Sequence, residues 1–443
     1  MFNNLETYQS RFWLKEESLK KIGKSSSGFL LELFSRVEAL VDQDLVYYDH
    51  QMDMETCFEK YSFHEFKWHQ TPNGDMEWVF MLNRQGYLVD LAVASYLTKD
   101  EKYLKKWKEI VFDFILENEE EISHPEASWR VLDAGIRLMN WVKSLTYLPL
   151  SEFSEVERKQ IQEAMILHAN YICTHLQEKH LLSNWGVLAV SGVLSFVYFS
   201  NEQPDLYLWA KETLLNQASL QFTKKGLHWE QSPLYHHQVV MCFAYLYQIA
   251  CYMRYEDQHL WKNVLIEPIR ASYYLSNSNH MLLALNDSDT VDFSWVHSYY
   301  HLLGFESECP EYTMGFLYSG RAFDKKHKVN FDEWFYDEVG GLAVVKGSDI
   351  YFSLFCGLHG SSHAHASHGA ISLEMDEVHF VTHPGRYTYT ECENRVRFKS
   401  ERMHNTILVE GGALSFYRKF MGISLDSQTF INANEKGGRS LLF

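Results

Sequence analysis

No apolar run in this 443-residue sequence reaches the ~20 residues that a bilayer-spanning helix needs. The most apolar segment, 185–199, is shorter and reads as a buried helix. The opening residues, MFNNLETYQSRFWLKEESLKK, have no apolar stretch behind a basic start, so no secretory signal is expected and the reading is cytoplasmic. Cysteine is sparse: seven residues, an odd number, without C-x-x-C spacing. That excludes a disulfide scaffold and fits reduced thiols used as small hydrophobes. Positive charge is in deficit. With 40 Lys and Arg against 58 Asp and Glu, the formal charge is −18, which argues against nucleic acid or a membrane surface as partner. Also missing are G-x-G-x-x-G, a P-loop, H-E-x-x-H and a G-x-S-x-G elbow, so no nucleotide fingerprint, zincin motif or hydrolase elbow is present.

What remains is globular. Hydrophobic residues at 46% and charged residues at 22% exclude a disordered or collagenous chain. The length exceeds one ordinary core and predicts more than one domain. Aromatics at 15% suit a sugar-lined cleft and equally a large core.

Apolar spacing is helical in segment after segment between about 25 and 275. FLLELFSRVEALV, GYLVDLAVASYL, KKWKEIVFDFILENE, VLDAGIRLMNWVKSL, ERKQIQEAMILHANYICTHL and the run 239–253 all repeat at 3.6 residues, which predicts an array of helical hairpins. No strict repeat marks a solenoid. After about residue 335, GGLAVVKG, DIYFSLFCGL, GAISLEM, EVHFVTH and NTILVEGG are short, β-rich and bounded by turn residues. ISLEM and VHFVT, joined at Asp376 and Glu377, read as a hairpin. The expected organisation is α+β: a helical domain over 1–335, then an antiparallel β domain over 336–443 that ends while strands are still being laid down.

Four constellations could carry chemistry. Ser183 and Asn184 open the apolar helix; either caps it, or the Asn184 amide faces a cleft and donates to a carboxylate. Ser232 and Pro233 mark a second helix start, which puts Tyr235 in a first turn among His228, His236, His237 and Glu230. The positive end of that helix is expected to favour the phenolate. A histidine group follows: His359, His363, His365, His368, His383 and His404. On a strand, His363 and His365 share a face, and three imidazoles from separate strands suit zinc. Finally, Arg395, Arg397 and Lys399 share a face if extended, either as a solvated edge strand or as a clamp for carboxylate or sulfate.

Taken in order and spacing, these fragments resemble the heparinase II/III superfamily of polysaccharide lyases over about residues 65–420. The match includes Met81-Leu-Asn83-Arg84, Trp129-Arg130, Ser183-Asn184-Trp185, Glu230 through His236, Asn286-Asp-Ser-Asp289, His363-Ala-His365, Pro384 through Tyr389 and Arg397 through Thr406. The resemblance implies an incomplete α/α toroid followed by an antiparallel β-sandwich, present here in part. It implies that Asn184 neutralises a uronate carboxylate, that Tyr235 is the Brønsted base or acid, and that His363 is a second base or neutraliser. Arg84, Glu230, His236 and Arg397 would bind substrate. His365, His383 and His404 would hold a structural zinc, although His404 could instead face the substrate. Two positions depart from the family pattern: His383 stands where Asp is usual, and Ser367 where an Asp follows the His-x-His. An imidazole can replace a carboxylate on zinc, raising the charge of the site by one.

The implied reaction is β-elimination on an acidic oligosaccharide, giving an unsaturated uronate. Two other readings stay open on sequence: a toroid glycoside hydrolase using paired carboxylates, and a degenerate lyase that only binds acidic glycans. Substrate identity and oligomeric state are not encoded in any motif.

Overall fold

The computed structural model describes residues 1–12, 16–49, 59–63, 67–118, 122, 124–200, 203–320, 330–357 and 362–408. Helices come first: α1 (Phe2–Phe12), α2 (Glu16–Ile22) and α3 (Gly28–Gln43), then a two-stranded ribbon of β1 (Leu45–Val46) and β2 (Tyr61–Ser62). Next are α4 (Met76–Arg84), α5 (Tyr87–Thr98), α6 (Glu101–Glu117), α7 (Val131–Leu145), α8 (Glu155–His175), α9 (Glu178–Leu181) and α10 (Asn184–Val197). The helical part closes with α11 (Pro204–Gln221), α12 (Pro233–Met253), α13 (Gln258–Tyr274), α14 (Ser294–Leu302) and α15 (Tyr312–Ser319). The six sequence runs with helical spacing lie, to within a residue or two at their ends among the described residues, inside α3, α5, α6, α7, α8 and α12. Their starts are chemically marked. Asp75 and Asp100 accept the Glu77 and Lys102 amides at 3.0 Å, and Ser154 with Glu157 forms a reciprocal capping box on α8.

The helices pack as an incomplete α/α toroid around α7 and α10. These two cross at bare backbone: a Cβ on Gly135 would lie 2.3 Å from Ala189 Cα, and one on Gly192 would lie 2.1 Å from the Gly135 carbonyl. The glycines cost helix propensity but admit this close approach. As a result α10 is buried on nearly every side, as its unbroken apolar sequence requires.

The sheet is antiparallel, in the order β3 (Trp334–Asp337), β4 (Leu342–Lys346), β5 (Ile350–Phe355), β6 (Ala370–Met375) and β7 (Val378–Val381). The expected β6–β7 hairpin is present, turning through Asp376 and Glu377, both at positive φ. One face carries Phe335, Leu342, Val344, Tyr351 and Phe355, which pack on Leu227, Ala271, Tyr274, Leu275, Leu283 and Leu285 of the helical part. Lys346 and Tyr351, on the same face, donate to the carbonyls of Tyr273 and Tyr274 at 2.7 and 2.8 Å. The opposite face is apolar and open, with Trp334, Tyr336 and Phe380 more than 60% exposed. Among the described residues the sheet is a single layer. Of NTILVEGG, 405–408 are not strand and the remainder lies outside the described residues. No described helix is long and apolar enough to cross a membrane.

One local expectation fails. The 393–399 stretch is not an edge strand but a short helix, α16 (Glu393–Lys399), with Cys392 Sγ accepting the Arg395 amide at 3.5 Å. Positions i and i+4 share a helix face, so Arg395 and Lys399 turn inward together while Arg397 is exposed.

Candidate active site

The site forms at the seam between the starts of α10 and α12 and the loops flanking the sheet. At α10, Ser183 makes no side-chain cap; its hydroxyl donates to the His180 carbonyl at 3.2 Å. Asn184 is the first helical residue, 2% exposed, and its backbone N–H donates to Glu230 Oε1 at 3.4 Å. Asn184 Oδ1, Glu230 Oε2 and His228 Nδ1 are all buried without a hydrogen-bond partner among the described residues. Buried polar atoms are rarely left so, and three on these neighbouring residues mark a place suited to a polar ligand. Burial pushes the Glu230 carboxyl up from its ordinary range.

At α12, Ser232 does not cap with its side chain either. Its hydroxyl donates to the Asp287 carbonyl at 2.9 Å, tying the helix start to the loop between α13 and α14. That loop is the organiser. Asn286 adopts a left-handed conformation (φ 57°), donates to the Gln231 carbonyl at 2.7 Å, and accepts the His365 amide and the Ser367 hydroxyl at 3.1 and 2.6 Å. Ser367, where the family pattern has an acid, is therefore a loop lock.

Asp287 is fully buried and surrounded by donors. Arg395 grips it with two bonds of 2.6 Å, His365 Nε2 lies at 2.7 Å and His363 Nδ1 at 3.2 Å. Burial opposes its ionisation, but Lys399, His363 and His365 overcome this and hold the carboxyl well below the usual range. His363 and His365 thus converge, though not as strand neighbours: residues 362–369 are an irregular loop between β5 and β6. With Asp287 accepting from Nδ1, His363 is assigned the tautomer that leaves Nε2 with a lone pair.

Tyr235 stacks on His363, ring centroids 3.6 Å apart and planes at 20°. Its hydroxyl shares a short hydrogen bond with the Tyr389 hydroxyl. The guanidinium carbons of Arg386 and Arg395 stand 5.1 and 5.0 Å from the Tyr389 ring centroid. The expected drift of Tyr235 toward phenolate is overturned. Burial, helped by the Asp287 charge, pushes the phenol up. Tyr235 is a protonated group in the free protein.

The other sequence candidates divide. Arg84 lies within electrostatic reach of Tyr235 and bonds Asp133 at 2.7 Å. His236 faces away: Nε2 meets the Pro268 carbonyl and Ser272 Oγ at 3.0 Å against α13, and burial lowers it to about 4. Arg397 is exposed on α16 and touches none of these groups; Arg395, its neighbour on the other face, enters the site instead. His359 lies outside the described residues. Asp287 and Tyr389 carried no sequence assignment beyond their places in NDSD and PGRYTY. A polar tetrapeptide directly after the apolar run MLLAL was the available signal for Asp287.

His365, His383 and His404 do gather. Ring centroids are 5.4 Å apart for His365 and His404 and 6.4 Å for His383 and His404. His365 Nδ1 and both nitrogens of His383 and of His404 are buried without a hydrogen-bond partner among the described residues. Burial lowers the three to about 4, 4 and 3, so all are neutral donors. Their chemistry fits zinc. Two imidazoles on one tetrahedral zinc have centroids about 5 Å apart, given Zn–N distances of about 2.0–2.1 Å. The first pair meets this and the second is too wide, and among the described residues no group of three such side chains stands in metal-binding geometry.

Two family descriptions cover most of the chain: Heparinase II/III N-terminus over residues 19–308, and Heparinase II/III-like, C-terminal over residues 334–435. A heparin-sulfate lyase of Pedobacter heparinus is 22% identical over 417 residues, spanning 86% of this chain and 60% of its own. The protein therefore covers about 60% of the length of that relative. A crystal structure of heparinase III superposes with TM-score 0.69 at 18% identity, over 91% of this chain and 66% of that one. A heparan sulfate lyase from Pedobacter heparinus gives TM-score 0.58 at 17% identity, over 92% and 65%. Both the helical part and the sheet are matched, and the chain belongs to the heparinase II/III family.

Proposed function

We propose that the protein is a glycosaminoglycan lyase that cleaves next to a uronic acid by β-elimination. The observation that carries this is the Tyr235–His363 stack, a phenol held against an imidazole whose Nδ1 faces the Asp287 carboxylate, with the buried Glu230 and Asn184 paired beside it. In the proposed reaction the Asn184 side-chain amide donates to the uronate carboxylate. The C5 proton then becomes acidic enough to remove, because the charge that develops is met by fixed donors. His363 Nε2 takes the C5 proton as the C5–H bond breaks. Tyr235 gives its proton to the C4 oxygen as that bond breaks, and the C4=C5 double bond forms.

The test is a panel of hyaluronan-, chondroitin-, heparan- and alginate-type oligosaccharides scored for product absorbing in the near ultraviolet. At least one substrate is expected to yield the conjugated unsaturated uronate. New reducing ends without that absorbance would assign a hydrolase instead, and binding without turnover a glycan-binding protein.

A structural zinc held by His365 Nδ1, His383 and His404 is proposed alongside. It would supply positive charge that fixes the loops bearing these residues, one of which also carries His363. Metal analysis of the purified protein should find about one zinc per chain, the stoichiometry of a three-ligand site. Chelation should lower the thermal midpoint, and added zinc should restore it. Substoichiometric zinc with a chelator-insensitive midpoint would remove the metal from the account.

A further inference from the structure

Beside the Asn184–Tyr235 cleft, one buried carboxylate holds two arginines. Asp133, in the first turn of α7, accepts Arg84 Nε at 2.7 Å, and Arg130 Nε and Nη2 at 2.5 and 3.1 Å. Burial alone would raise this carboxyl, but the two guanidiniums outweigh it and hold it below its ordinary value. Among the described residues Arg84 Nη2 and Arg130 Nη1 have no hydrogen-bond partner, and the two side chains remain 16% and 19% exposed. The Arg130 guanidinium carbon lies 3.1 Å from the Phe80 ring centroid and 5.3 Å from that of Trp185. Trp185 directly follows Asn184, and Arg84 is within electrostatic reach of Tyr235, so the strip leads out from the reacting groups. Glu77 is also within that reach of Arg84, so this is no diffuse basic patch.

We propose that Arg84 and Arg130, locked by Asp133 and backed by Phe80 and Trp185, form a subsite for a negatively charged substituent, sulfate or carboxylate. That substituent sits on the sugar next to the reacting uronate, and the proposal rests on the lyase reading of the cleft. Guanidinium groups pair with oxyanions through parallel N–H bonds, and a shared buried carboxylate removes the ordering cost of aiming them. The aromatic rings supply apolar surface against the same sugar. An overall charge of −18 makes this local exception the more telling, since a polyanion must find its positive charge somewhere.

Calorimetric binding to Tyr235→Phe protein tests it with three tetrasaccharides: N-acetylheparosan, N-sulfoheparosan, and an alginate-type oligouronate carrying a carboxylate on every sugar. At least one charged-neighbour probe should bind about tenfold more tightly than N-acetylheparosan, the worth of one charge-assisted pair. Which of the two shows the advantage identifies sulfate or carboxylate. Arg130→Gln should abolish the advantage while changing N-acetylheparosan binding by no more than about twofold, and Arg130→Lys should recover part of it. Equal weakening of all three probes would mean that Arg130 only braces α7, and would overturn the proposal. So would an unchanged preference in Arg130→Gln, or no binding of any probe. Failure of the lyase reading shows separately, as wild-type protein that yields no unsaturated product while the charge preference persists.

Discussion

Tyr235→Phe should lower kcat by about three orders of magnitude with KM moved only a few-fold, the signature of a lost proton donor. The substitution keeps the ring and therefore the stack on His363; it removes only the hydroxyl and its bond to Tyr389. Leaving the Tyr389 hydroxyl without that partner costs about 1–3 kcal/mol if nothing replaces it, so the variant should fold. The sign of the ionisation matters. Burial holds the Tyr235 phenol above its ordinary value, so the proton-donating form persists through the working range and is lost only as pH rises through that raised value. The pH profile of kcat/KM should accordingly show no falling alkaline limb below about pH 10, the unperturbed tyrosine value. A variant that keeps full product formation, or a wild-type alkaline limb near neutrality, would take Tyr235 out of the chemistry.

What could be read from sequence was what local chemistry encodes. The helices announce themselves by period and caps, and α10 by a run too short for a membrane and too apolar for a surface. Asn184, Glu230 and Tyr235 were visible because each sits within a few residues of a helix start. The failures share one cause. Arg-x-Arg-x-Lys alternates as a strand would, yet the same spacing on α16 sends Arg395 and Lys399 inward and Arg397 outward. His236 adjoins Tyr235 in sequence, but one helical step turns it toward α13, where Pro268 and Ser272 take its Nε2. The phenolate expectation weighed the helix end and lacked the burial that opposes it. Asp287 was invisible for a different reason: its partners lie 76 residues away at His363 and 108 away at Arg395, and nothing local reports them.

Asp287 is also where the largest loss of stability is expected. Asp287→Asn keeps the shape but puts an amide donor among Arg395, His363 and His365, all of which donate to the carboxylate. Removing one partner of a buried ion pair costs about 3–5 kcal/mol, chiefly because the other charge stays buried unpaired. Chemical denaturation should show a loss of that size, with the seam between α12 and the sheet opening first. The unpaired-charge argument has a sharper consequence. Adding Arg395→Gln to Asp287→Asn should recover part of the stability, since the uncompensated guanidinium is gone, giving a favourable coupling in a double-mutant cycle. Turnover should not return with it. Without the carboxylate the bond that holds the His363 Nδ1 proton is lost, and the lone pair on Nε2 on which proton removal depends is no longer enforced by Asp287. A loss under about 1 kcal/mol would show that Asp287 is not the keystone of the seam. A double variant regaining both stability and turnover would show that its carboxylate organises the fold and leaves the His363 proton alone.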